Sequence, residues 1–133
     1  MSVQIKALTI GIPVMDDPGM AVTGADADFN LIPDANKVFT LYMASTGKSA
    51  IVKGMRFVNT HTAAVTMSIW FNRPISGKYR RRLLAPADLS LPAGFTYIDE
   101  GEITLEAGDK IQAKASVADV IQYVISGVER DVT

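Results

Sequence analysis

The chain has no cysteine and a single histidine, His61. The first absence excludes disulfides and thiolate metal ligands. The second leaves no imidazole pair for a zinc set, so metal options shrink to carboxylate sites, and a triad would need a nucleophile and an acid beside this one base. No stretch approaches the roughly 18 uninterrupted apolar residues that a membrane-spanning helix needs. Charge of one sign is also scarce. Lys and Arg number 13 and Asp and Glu number 14, a formal net charge of −1, so neither nucleic acid nor a membrane surface is an expected partner. The opening residues, MSVQIKALTIGIPVMDDPGMAV, lack a basic start, a long apolar run and a cleavage site. A protein kept or assembled in the cytoplasm is therefore expected. What is present is 133 residues, 48% hydrophobic and 20% charged, which suits one domain with one core.

Thr46-Gly47-Lys48-Ser49 reads like the end of a phosphate-binding loop, G-x-x-x-x-G-K-[ST]. The first glycine of that motif would fall on Tyr42, which lacks the conformational freedom the loop requires. A helix should follow, yet SAIVKGMRFVNT is rich in Val, Ile, Phe and Thr and has no helical stripe. A turn between two strands is the better reading. Leu89-Ser90-Leu91-Pro92-Ala93-Gly94 and Ile103-Thr104-Leu105-Glu106-Ala107-Gly108 support it, since each runs apolar–polar–apolar into a turn ending in Gly. Gly47 is expected to do what Gly94 and Gly108 do, with Lys48 at a strand edge.

The chain divides into two regions. Residues 1–36 hold Pro13, Pro18 and Pro33, with one strand expected over Gln4 to Ile10 and an extended N-terminal arm otherwise. Residues 37–133 form the β domain, with strands at about 37–43, 49–59, 63–72, 78–84, 95–99, 102–106, 109–116 and 119–127. Short strands bounded by turn residues predict an all-β sandwich or barrel; a single antiparallel sandwich, jelly-roll-like, is the fold expected. In AVTMSIWFN, Val65, Met67, Ile69 and Phe71 share one face and Thr66, Ser68, Trp70 and Asn72 the other. Ile111, Ala113 and Ala115 point inward, with Lys110, Gln112 and Lys114 outward. In IVKGMRFV the alternation slips near Gly54, and a β-bulge there returns Val52 and Phe57 to one side. DVIQYVISG is apolar on both faces, as in a central or partner-covered strand.

Few residues are placed for chemistry. His61 reads as a turn residue. Asp26-Ala27-Asp28-Phe29-Asn30 opens like a calcium loop, but Leu31 and Lys37 stand where Gly and Glu are needed. Asp99, Glu100 and Glu102 are solvated acids of a hairpin rather than a facing catalytic pair. No catalytic residue, metal or cofactor is expected. Contact chemistry is better represented. The run Lys78-Tyr79-Arg80-Arg81-Arg82 is either an edge strand blunted against stray pairing or a salt-bridging subunit contact. Trp70 stands on the polar side of its strand, covered by the arm, buried in a subunit contact, or open as a sugar-stacking platform. Phe29, Leu31 and Ile32 are the apolar contact candidates of the arm.

Three stretches carry a family resemblance: IVKGMRFVNTHTAAVTMSIWF, LLAPADLSLPAGFTYID and ITLEAGDKIQAKASVADVIQYVISGVE. The Gly-Lys turn, Val58-Asn59-Thr60, Leu91 to Gly94, Leu105 to Asp109 and Ile125 to Glu129 follow in an order that resembles small β-sandwich virion proteins of tailed bacteriophages, over roughly residues 38–129. The resemblance implies a non-enzymatic structural role in the virion, assembled in the host cytoplasm. Capsid decoration is preferred over a tail, neck or baseplate part. It also implies a homo-oligomer, commonly a trimer, seated on the major capsid protein or on tail proteins. A carbohydrate-binding receptor-recognition module is the alternative.

Overall fold

A computed structural model describes residues 3–7, 14–15, 32, 35–75 and 78–132. Among them there is no helix, and eleven strands follow one another: β1 (Val3–Ala7), β2 (Val14–Met15), β3 (Phe39–Met43), β4 (Lys48–Asn59), β5 (Val65–Ile75), β6 (Lys78–Leu83), β7 (Leu89–Leu91), β8 (Thr96–Asp99), β9 (Ile103–Leu105), β10 (Lys110–Ala115) and β11 (Ile121–Asp131). They pair antiparallel in two sheets. Sheet A runs β1-β11-β4, with β8 and β9 end to end along the far side of β4. Sheet B runs β2-β3-β10-β5, with β6 and β7 end to end along the far side of β5. The last strand, β11, lies between β1 and β4, and the one before it, β10, lies between β3 and β5. Strands that return late to sit between earlier ones make two nested Greek keys, which is the jelly roll.

Alternation in sequence becomes layering in space. Val65, Met67 and Ile69 of β5 and Ile111, Ala113 and Ala115 of β10 face inward, opposite Val52 and Phe57 of β4 and Ile121, Tyr123 and Ile125 of β11. Phe71 packs on the margin of this core. The rings of Phe57 and Tyr123 lie 6.2 Å apart at 29°. The bulge expected in β4 is there. The register passes from Gly54 opposite Ser126 to Val52 opposite Gly127, which leaves Lys53 as the extra residue. Val52 and Phe57 are both buried as a result.

The three turn glycines behave alike. Gly47, Gly94 and Gly108 have φ of 80°, 74° and 90°, a region that side chains with a Cβ avoid. The 46–49 stretch therefore leads into a strand, and Lys48 opens β4 with its Nζ 2.6 Å from Asp131 Oδ1. Leu89–Leu91, absent from the expected strand list though part of the repeat, pairs with Val65–Met67. Buried Asn59 ties the end of β4 down: its Nδ2 donates to the carbonyls of Ala63, Leu91 and Pro92, and its Oδ1 accepts from the His61 N–H.

Of the first 36 residues, the described pieces lie against the sandwich. β1 pairs with β11, Val3 opposite Arg130 through Ala7 opposite Ser126, and β2 pairs with β3. Ile32 is fully buried in the core, its N–H donating to Ile121 O and its carbonyl accepting from Asp119 N–H. The Asp26–Asn30 stretch lies outside the described residues.

Two phenols make the fold sensitive to alkali. Burial raises Tyr123 well above the ordinary 10.0. Burial, then the charge and hydrogen bond of Glu129, do the same for Tyr42, whose hydroxyl donates to Glu129 Oε1 at 3.3 Å. The folded state keeps both phenols protonated where the unfolded chain releases their protons. Their contribution to stability is whole below pH 10 and is lost above it, at about 1.4 kcal/mol per pH unit for each phenol. Denaturant melts across pH 8 to 12 check this, with the phenolate signal of these two rings expected to rise together with unfolding; a flat profile contradicts it.

Candidate functional site

The outer face of sheet B gathers the first set of candidates. Trp70 of β5 sits opposite Gln112 of β10 and Leu83 of β6, and Asn72 sits opposite Arg81. By parity these side chains turn away from the core, as expected for Trp70 and Asn72. They are not open to solvent in equal measure. Trp70 is half-buried, while Asn72 and Gln112 are fully buried. Asn72 Nδ2 and Arg81 Nε both donate to Gln112 Oε1, at 2.9 and 3.1 Å, and Gln112 Nε2 donates to Thr40 Oγ1 at 3.1 Å. The Arg81 guanidinium lies 5.7 Å from the centre of the Trp70 ring, within cation–π range. A layer of polar side chains therefore cross-links β3, β10, β5 and β6 on the outside of the sheet. Alternation marked them as outward, but only the register shows that they satisfy one another.

The basic run forms β6, which lies at the end of sheet B among the described strands. Arg81 joins the Trp70 layer. Arg82 is exposed, its Nη1 donating to the Arg81 carbonyl at 3.0 Å. The side chains of Lys78, Tyr79 and Arg80, and all of Phe29 and Leu31, lie outside the described residues. Ile32 is enclosed by its own chain, so it offers no surface to a second subunit. His61 is in the 60–64 link, held through its backbone.

Sheet A shows a second surface, of which the sequence marked only the outer side of β11. Ile51, Ile98 and Val124 point outward and stay 36%, 50% and 49% exposed. A groove of about 530 Å³ opens there, at the bulge of β4 and the break between β8 and β9. Gly54, Met55 and Ser126 line it, with charged Lys53, Arg56, Asp99 and Glu100 around the rim. Lys53 is paired with Glu102 at 2.6 Å, and Asp99 Oδ1 accepts from Gly101 N–H at 2.9 Å. Among the described residues, no three His, Cys, Asp or Glu side chains cluster to hold a metal.

The strand order and the packing of the two sheets define a jelly-roll β-sandwich. No family model and no curated protein matches the chain. Among solved structures it is similar to the infectious bursal disease virus Gx strain structure, at 18% identity over 90% of this chain, with a TM-score of 0.44. The chain spans 36% of that one. It is also similar to the CBM22-1 xylan-binding domain from Paenibacillus barcinonensis Xyn10C, at 12% identity, 98% of this chain, 82% of that one and a TM-score of 0.37. Likenesses this distant add nothing to the topology already traced.

Proposed function

We propose that the chain is a non-enzymatic structural protein of a tailed-phage virion, and that it decorates the capsid as an adhesive. The observation that carries this reading is the outer face of sheet A, where large apolar side chains stand in solvent between charged groups. An apolar patch rimmed by polar residues is a contact surface. Three ion pairs among the described residues tie the sandwich together: Lys48 with Asp131, Lys53 with Glu102 and Arg73 with Asp109. A jelly roll suits such a role because it keeps its core closed while both sheets offer an outer face. That link between fold and role is analogy. The sugar-platform alternative needs an open ring beside free amides. Arg81 over Trp70 and the burial of Asn72 and Gln112 weigh against it.

Quantitative mass spectrometry of particles containing the chain tests the reading. Decoration predicts many copies, in proportion to the capsid lattice. A handful of copies identifies a tail or neck part, and absence from particles overturns the structural reading.

A further inference from the structure

Two glycines lie near each other on sheet A, and the fold requires only one. A Cβ on Gly127 would overlap the Ile51 carbonyl oxygen. A Cβ on Gly54 would lie 3.8 Å from Asp99 O and 3.9 Å from Ser126 Oγ, which is ordinary contact, and Gly54 is not among the positive-φ residues. Glycine inside a twelve-residue strand weakens it, and with the bulge residue at Lys53, Gly54 meets no need of the backbone. A strand glycine whose own backbone does not demand it leaves room for another molecule to come close. Gly54 also lines the sheet A groove.

The rim says what comes close. Arg56 on β4 and Glu100 in the β8–β9 link are both exposed, and neither has an ion pair among the described residues. A rim with both signs suits neither a polyanion nor a polycation. It suits a surface with the same two signs in reverse order. We infer that this groove docks a second copy of the chain through its own groove, across a two-fold axis running along the strands between β4 and β8. That operation exchanges the two banks, so Arg56 of each copy faces Glu100 of the other. Ile98, the cross-strand neighbour of Arg56, lies against the aliphatic stem of the other copy's Arg56. The missing side chain at Gly54 lets the two sheets approach. A self-complementary patch is what a two-fold contact demands. The inference rests on the adhesive reading and adds a contact that joins neighbouring decoration units two by two.

Sedimentation equilibrium of the full chain tests it. A reversible dimer is expected. Gly54→Gln, which fills the groove, is expected to weaken it by roughly 100-fold with the melting temperature unchanged, as for loss of a central contact. Arg56→Glu and Glu100→Arg each weaken it about tenfold or more, and the double variant Arg56→Glu/Glu100→Arg restores it. These rim positions are exposed, so folding does not confound the charge swap. A chain that stays monomeric at about 1 mM, far above the micromolar range of specific contacts, overturns the inference. So does a dimer indifferent to Gly54→Gln, or a double variant that fails to recover. The number of copies per particle stands apart from all three results.

Discussion

Gly127→Ala is expected to lower the melting temperature by roughly 10 °C or more, while Gly54→Ala on the facing strand leaves it unchanged or slightly higher. The difference is one of backbone geometry. Where β4 bulges at Lys53, its main chain is pushed across Gly127 of β11, and an added methyl would overlap the Ile51 carbonyl oxygen and crowd Ile51 C and Val52 Cα at 3.0 Å. Those atoms belong to the longest strand pairing among the described residues, so relief means shifting the ladder between β4 and β11. Overpacking against side chains costs about 1–3 kcal/mol. Against a backbone that cannot rotate away, about 3 kcal/mol is a floor, which in a domain of this size translates to the stated shift. At Gly54 the methyl has room, and restricting the unfolded chain favours folding by about 0.4–1 kcal/mol. Thermal melts followed by circular dichroism decide between them. Equal effects at the two positions would mean that the close approach at Gly127 is not what holds the bulge.

How much of this the sequence disclosed depends on whether a feature is local. The glycine turns were legible because apolar–polar–apolar runs ending at Gly94 and Gly108 repeat, and Gly47 fits the same frame. The bulge was legible because Val52 and Phe57 have opposite parity in one strand and both must be buried. The two-layer fold followed from the same alternation. Which glycine is squeezed was not legible, because that depends on how a strand some seventy residues away crosses it. The buried polar residues were hidden for a related reason. Asn72 and Gln112 read as outward-facing, and nothing in the sequence marked Asn59 or Asp109 as buried; the partners of all four appear only once the register is known. The groove on sheet A needs three strands and a broken edge, so no single stretch announces it.

Asp109 and Arg73 show how far residue type can mislead, and mutation should expose an asymmetry between them. The Asp109 side chain is 2% exposed and that of Arg73 is 39% exposed. Arg73 Nε approaches both carboxylate oxygens at 3.1 Å and Nη2 lies 2.7 Å from Oδ2, which also accepts from Glu106 N–H at 2.8 Å. The carboxylate thus closes the Leu105–Asp109 turn from inside while the guanidinium reaches it from the surface, passing 5.2 Å from the centre of the Phe71 ring. Arg73→Met keeps the apolar stem but leaves a buried charge with little besides one amide, and breaking a buried pair in this way costs about 3 kcal/mol. Asp109→Asn removes the charge, keeps an acceptor for Glu106 N–H, and leaves Arg73 where water can solvate it. About 1 kcal/mol is expected, because an ion pair with one exposed partner is screened. The double variant should cost less than the sum of the two, since the second change removes the charge that the first left stranded. Urea melts of the three variants measure all three quantities. If Asp109→Asn proves as damaging as Arg73→Met, the turn hydrogen bonds outweigh the stranded charge, and Asp109 acts as a cap rather than as half of an ion pair.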